Sequence, residues 1–115
     1  MNAQRSAPIS QVDVEEEIIR LLNMLESETE QFEVLAEDAA RKEAYFKSQW
    51  AKAYLTSTGS IKEREANADW QMTEIATHAK IAEALVRSKR EKLSSLKTQI
   101  DALRTLSANV RMQTN

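Results

Sequence analysis

Cysteine is absent from this chain, and glycine and proline occur once each in 115 residues. Without cysteine there are no disulfides and no thiolate metal sites, which fits a reducing compartment such as the cytoplasm. So little glycine and proline, amid abundant Ala, Glu, Lys, Leu and Arg, excludes a turn-rich β architecture and predicts long helices. No apolar run approaches the roughly 18 residues of a membrane span. Met1 to Ser10 lacks the apolar centre of a signal peptide. Catalytic motifs are missing too: there is no Gly-rich phosphate loop, nucleophile motif or HExxH. The lone histidine, His78, follows Glu74 by one turn, but a zinc site takes about three or four protein ligands. A surface histidine paired with Glu74 accounts for that spacing. The chain is therefore expected to be no enzyme and to use no cofactor or metal.

What is present is organised around Trp50 to Arg64, WAKAYLTSTGSIKER, which holds the only glycine. A helix-friendly run loses its pattern at Thr56, Ser57 and Thr58, and Gly59 can take the positive φ that ends a helix. Ser60 and Glu63 then form a capping box, with the Ser60 hydroxyl accepting from the Glu63 N–H and the Glu63 carboxylate reaching back to the Ser60 N–H. These signals predict the bend of a two-helix hairpin.

Met1 to Ser10 reads as a disordered tail, with Ser10 as N-cap of the first helix. From Gln11 to about Ser57, apolar or small residues recur at alternating steps of four and three. They are Ile18, Leu22, Leu25, Thr29, Phe32, Ala36, Ala39, Glu43, Phe46, Trp50 and Ala53, with Val14, Leu21 and Leu35 on one flank. The second helix, Ile61 to about Met112, carries a stricter seam. It runs Ala68, Met72, Ile75, Ala79, Ala82, Val86, Lys89, Leu93, Leu96, Ile100, Leu103, Ser107 and Val110. The expected fold is thus all-α: an antiparallel, coiled-coil-like hairpin of two long helices (about 11–57 and 61–112), one domain over residues 11–115. Apolar residues left over at Ile19, Met24, Val34, Ile81, Leu85 and Leu106 predict a homo-oligomer.

Net charge is −2, but the charges are segregated. Asp13 to Asp38 holds ten acidic residues and only Arg20 as counter-charge. Folding at Gly59 places residue 59 − x near residue 59 + x, so this acidic stretch faces the basic Lys80 to Arg104. Opposite fields favour that antiparallel register, and they are expected to neutralise the basic run Arg87 to Lys97 internally. Near the bend, Arg41, Lys42, Lys47, Lys52, Lys62 and Arg64 show no obvious acidic partner inside the hairpin. Lys47, Lys52, Lys62 and Arg64 can neutralise phosphates, while Tyr45, Tyr54 and Trp70, off the seam, can stack on unpaired bases. Trp50 and Phe46 fall on the seam and read as core. The candidate nucleic-acid-binding residues are Lys47, Lys52, Tyr54, Lys62, Arg64 and Trp70. Packing of Tyr54 and Trp70 across the hairpin end or into an oligomer contact is the competing reading.

The order of features resembles the UvsY-type phage recombination mediators. The similarity rests on a basic–aromatic helix end (KSQWAKAYL), a short bend (TSTGS), a charged restart (IKEREANADW) and a Leu-spaced, arginine-bearing terminal helix (LSSLKTQIDALRTLSANVR). It spans roughly Arg41 to Arg111. The resemblance implies a small, helical, oligomeric, non-enzymatic protein of the phage-infected host cytoplasm. Such a protein loads a recombinase onto single-stranded DNA against a single-strand-binding protein. The basic positions that the resemblance carries onto this chain are Lys47, Lys52, Lys62 and Arg64. The alternative is a coiled-coil adaptor or assembly chaperone with no nucleic-acid binding.

Overall fold

The computed structural model describes residues 9–114. The tail expected over Met1 to Ser10 lies, as far as Pro8, outside the described residues. Three helices follow: α1 (Gln11–Thr56), α2 (Ile61–Gln71) and α3 (Thr73–Thr114). No strand occurs among the described residues, so the chain is all-α, with the first helix turned back on the second half at the bend.

The helix ends follow from their capping groups. Ser10 Oγ accepts from the Asp13 N–H at 3.1 Å, and Ser60 Oγ accepts from the Glu63 N–H at 3.1 Å; each satisfies one otherwise orphaned first-turn donor. Gly59 has φ 107°, a conformation that side-chain-bearing residues rarely adopt. The second half of the expected capping box takes another form, because the Glu63 carboxylate folds over Gly59. A Cβ at residue 59 would come within 2.7 Å of Glu63 Oε2. At the end of α1, Ser57 Oγ donates to the Ala53 carbonyl at 2.6 Å and accepts from Asn67 Nδ2 across the bend. One serine thus finishes α1 and ties it to α2.

The second helix, expected as one piece, is interrupted at a single residue. Met72 has φ −97° and ψ 9°, outside the helical basin. Thr73 follows the interruption, and its hydroxyl hydrogen-bonds the carbonyls of Asp69 at 3.1 Å and Trp70 at 3.0 Å, although Thr29, Thr77, Thr98 and Thr105 bond back one turn in the same way within unbroken helix. A hydroxyl that engages carbonyls one turn back competes with backbone pairing but does not by itself break a helix. Backbone bonds from Met72 to Ala68 and from Ala76 to Met72 carry the chain across the interruption.

Contacts between helices fall into two compact units. One takes the chain up to Glu30 with the chain from Glu91 onward; the other is Gln31–Arg90. In the first, Leu21, Leu96 and Ile100 form the core, with Met24, Leu25 and Leu103 packed against it. In the second, the buried apolar residues are all alanines: Ala53, Ala68, Ala79 and Ala82. Alanine allows close helix approach but removes less apolar surface from water than leucine does.

The expected α3 seam is realised, since none of its residues from Ala68 to Val110 is exposed. The α1 seam needs a correction. Leu22 and Thr29 are exposed, while Leu21 and Glu28 occupy the interface. The seam therefore steps Val14, Ile18, Leu21, Leu25, Glu28 and Phe32, keeping Ile18, Leu25 and Phe32 as expected but taking Leu21 and Glu28 in place of Leu22 and Thr29. Glu28, only 8% exposed, is tolerated there because Lys92 Nζ lies 3.2 Å from its carboxylate. A buried carboxylate without such a partner would be strongly disfavoured. Met24, expected as leftover surface, is packed against the core, and Leu106 is half-buried; Ile19, Val34, Ile81 and Leu85 are exposed.

Pairing within each unit follows the mirror rule about Gly59 closely. The mirror positions of Gln11, Glu28, Gln31 and Trp50 are 107, 90, 87 and 68. The observed partners are Ser107, Lys92, Lys89 and Asp69.

Candidate nucleic-acid interface

All six candidate residues belong to the Gln31–Arg90 unit, three of them on α1 and three on α2. Their environments differ sharply. Lys52 and Lys62 are exposed and have no ion-pair partner among the described residues. Trp70 is 79% exposed and borders a shallow open surface with Gln71, Met72, Thr73 and Glu74. Its ring lies on the outward side of α2, roughly opposite the fully buried Ala68, because two residues advance a helix by about 200°.

The other three are committed to the protein itself. Lys47 is exposed, but its Nζ lies 3.7 Å from Glu43. Tyr54 is half-buried and stacks on Trp50, with ring centroids 5.5 Å apart and planes 13° apart. Trp50 is in turn fixed by its indole N–H, which donates to Asp69 Oδ1 at 2.8 Å. Arg64 is half-buried on the α2 side facing α1, and its Nε is enclosed with no hydrogen-bond partner.

The expectation that the basic residues near the bend lack acidic partners is corrected for three of them. Arg41 pairs with Glu37 at 2.7 Å, Lys42 with Asp38 at 2.9 Å and Lys47 with Glu43. Each acid lies one turn earlier on the same helix, a spacing that brings side chains together. Such exposed pairs contribute only about 0–1 kcal/mol, so they neutralise charge locally more than they stabilise the fold.

The second basic run is neutralised unevenly. Lys92 reaches Glu28, Lys89 Nζ donates to Gln31 Oε1 at 3.0 Å, and the Arg90 guanidinium lies 5.6 Å from the centroid of the Phe32 ring. Arg87 and Lys97 are exposed and have no ion-pair partner among the described residues. His78 is exposed, and no group of three or more His, Cys, Asp or Glu among the described residues is placed to hold a metal ion. No described helix is long and apolar enough to cross a membrane.

The surface at this end is not purely basic. Leu55 and Ile61 are exposed at the bend, and Tyr45 is exposed on α1. Glu63 and Glu74 lie on the same outward side of α2 and α3 as Trp70. What survives of the candidate site is therefore a pair of free lysines and one exposed indole, beside apolar side chains. In comparisons with known proteins, no family model, characterised protein or solved structure matched the chain.

Proposed function

We propose that this chain is a non-enzymatic, self-associating protein that binds single-stranded DNA at its bend, acting as a recombination mediator of the UvsY type. In that role it helps load a recombinase onto DNA coated by a single-strand-binding protein, in the cytoplasm of a phage-infected cell. One observation carries the reading: Trp70 is 79% exposed in the same compact unit as the free, exposed lysines Lys52 and Lys62. An indole left in water has no packing role within the chain, whereas every unpaired base offers it a face to stack on. The lysines would neutralise phosphates and release counterions, giving affinity without sequence preference.

A second reading is favoured by a separate observation. Three cations near the bend already hold acidic partners, and Leu55 and Ile61 expose apolar surface there. That combination suits protein contact and supports a coiled-coil adaptor or assembly chaperone.

Titration of a labelled oligothymidylate at low and higher salt separates the two. For the mediator, affinity falls with salt, and Lys52→Ala with Lys62→Ala lowers the log–log slope by about 1.4, at about 0.7 per phosphate contact on a single strand. Absence of binding at low salt, with a stable protein complex recovered in pull-down, selects the adaptor.

A further inference from the structure

Two stretches of α1, one in each compact unit, expose apolar residues beside charges of opposite sign. In the first unit Val12, Ile19 and Leu22 are exposed, together with Glu15 and Glu26. At about 100° per residue the other four project within about 40° of Glu26. Glu15 meets the Gln11 side chain at 2.9 Å, and neither glutamate has an ion-pair partner among the described residues. In the second unit Tyr45 and Leu55 are exposed, together with Arg41, Ser48 and Lys52. By the same geometry the other four project within about 40° of Arg41. Lys52 has no ion-pair partner among the described residues, and Arg41 meets Glu37 one turn before it. The remaining charges were checked against these directions. Glu16 lies at the edge of the first face and adds to its negative charge. Asp13, Glu17, Arg20, Lys42, Glu43 and Lys47 project about 100° or more from the centre of their face.

The two stretches match in one register. In an antiparallel alignment that sets Glu26 level with Arg41, Leu22 falls level with Tyr45, Glu15 with Lys52 and Val12 with Leu55. Apolar thus meets apolar twice, and carboxylate meets cation twice. Glu26 and Arg41 sit on the contact line, and the members of the other pairs stand on its two flanks, as side chains of antiparallel helices interleave. The match ends one turn further on, where Glu30 would fall level with Glu37.

We propose that the 12–26 stretch of α1 docks antiparallel on the 41–55 stretch of α1 in a second copy of this chain. Every copy carries both stretches and the register reads the same from either one, which is the condition for a two-fold pair. Charge complementarity selects this occupant: the acidic stretch repels nucleic acid, and neither stretch attracts its own kind. Apolar side chains supply the surface removed from water. The contact rests on the self-association part of the reading above and names its surface. It does not depend on DNA binding, and Lys62 and Trp70 lie outside it.

Charge exchange between Glu26 and Arg41 tests it, by sedimentation velocity on the full chain without DNA. The wild type is expected to form dimers, or multiples of dimers, at micromolar concentration. Glu26→Arg sets cation against cation and Arg41→Glu sets carboxylate against carboxylate, so each should weaken self-association at least about tenfold. Glu26→Arg with Arg41→Glu in one chain restores the pairs and should associate as the wild type does. The two single variants, mixed in equal amounts, should also recover, because each complements the other. Both positions are exposed, so helicity by circular dichroism should be unchanged; if the double variant loses helix, the mixture decides. A wild type that stays monomeric overturns the proposal, as do single variants that sediment like the wild type or a mixture that stays apart. Lys52, Lys62 and Trp70 are unchanged in every variant, so a DNA titration on the same proteins shows whether the mediator reading fails independently.

Discussion

Replacing Gly59 with alanine tests the bend where backbone and side-chain constraints meet. The residue sits at φ 107°, and holding a non-glycine residue in a sparsely populated backbone region costs about 1–3 kcal/mol. The new Cβ would also meet Glu63 Oε2 at 2.7 Å, Cδ at 3.1 Å and Cβ at 3.3 Å. The carboxylate is the end of a flexible chain and can swing away, but Glu63 Cβ is fixed by the first turn of α2. The backbone cost therefore dominates, and the total should be about 1–3 kcal/mol. At about 4 °C per kcal/mol for a chain of this size, Tm should fall by about 4–12 °C. Thermal unfolding followed by circular dichroism at 222 nm gives the readout. Glu63→Ala as background separates the contributions, because it removes the side-chain collision and leaves the dihedral cost. If Gly59→Ala is as stable as the wild type in both backgrounds, the bend is not held in this conformation and the reasoning fails.

Glu28 and Lys92 give an asymmetric pair of outcomes. Lys92→Ala strips a cation from a carboxylate that is 8% exposed and should cost about 1–2 kcal/mol by chemical denaturation. Glu28→Leu removes the buried charge itself and should be within about 1 kcal/mol of the wild type or more stable. Ala68, 0% exposed, has no room for growth, so Ala68→Leu should destabilise by about 1–3 kcal/mol through overpacking. Hydrogen exchange should show amides of the alanine-packed Gln31–Arg90 unit opening before those around Leu21, Leu96 and Ile100, where larger side chains are buried. Uniform protection across both units would contradict that ordering.

The hairpin was legible because its signals are local and mutually consistent. One glycine, an N-cap serine at the start of α1 and another at the start of α2, and a strict four–three spacing from Ala68 to Val110 all point to the same architecture. The phase of α1 was harder to read, for a physical reason. Leu21 and Leu22 are adjacent leucines, and the interface position one heptad after Leu21 is Glu28, which a hydrophobic pattern assigns to solvent. Lys92, brought close by the register, helps make Glu28 acceptable there. The interruption at Met72 was hidden because neither glycine nor proline lies near it and the apolar spacing runs through it unbroken.

In the candidate site, exposure of Lys52, Lys62 and Trp70 agreed with their places off the seam. Two environments become visible only with the structure: Tyr54 stacks on the Trp50 ring, and Arg64 is half-buried with its Nε enclosed. The pairs at Glu37–Arg41, Asp38–Lys42 and Glu43–Lys47 were present in the sequence as one-turn spacings and needed only that test. The Trp50–Asp69 hydrogen bond was also within reach, since Asp69 lies one residue from the mirror position of Trp50.

Trp70 itself offers the most direct test of DNA binding at the bend. A Trp50→Phe background leaves it as the sole indole, and its fluorescence can be followed as oligothymidylate is added at low salt. The account predicts saturable quenching as bases stack on the ring, reversal by added salt, and weaker binding in Lys52→Ala/Lys62→Ala. Unchanged Trp70 emission at a DNA concentration where anisotropy of the labelled strand shows the complex has formed would contradict the placement of the strand at the bend.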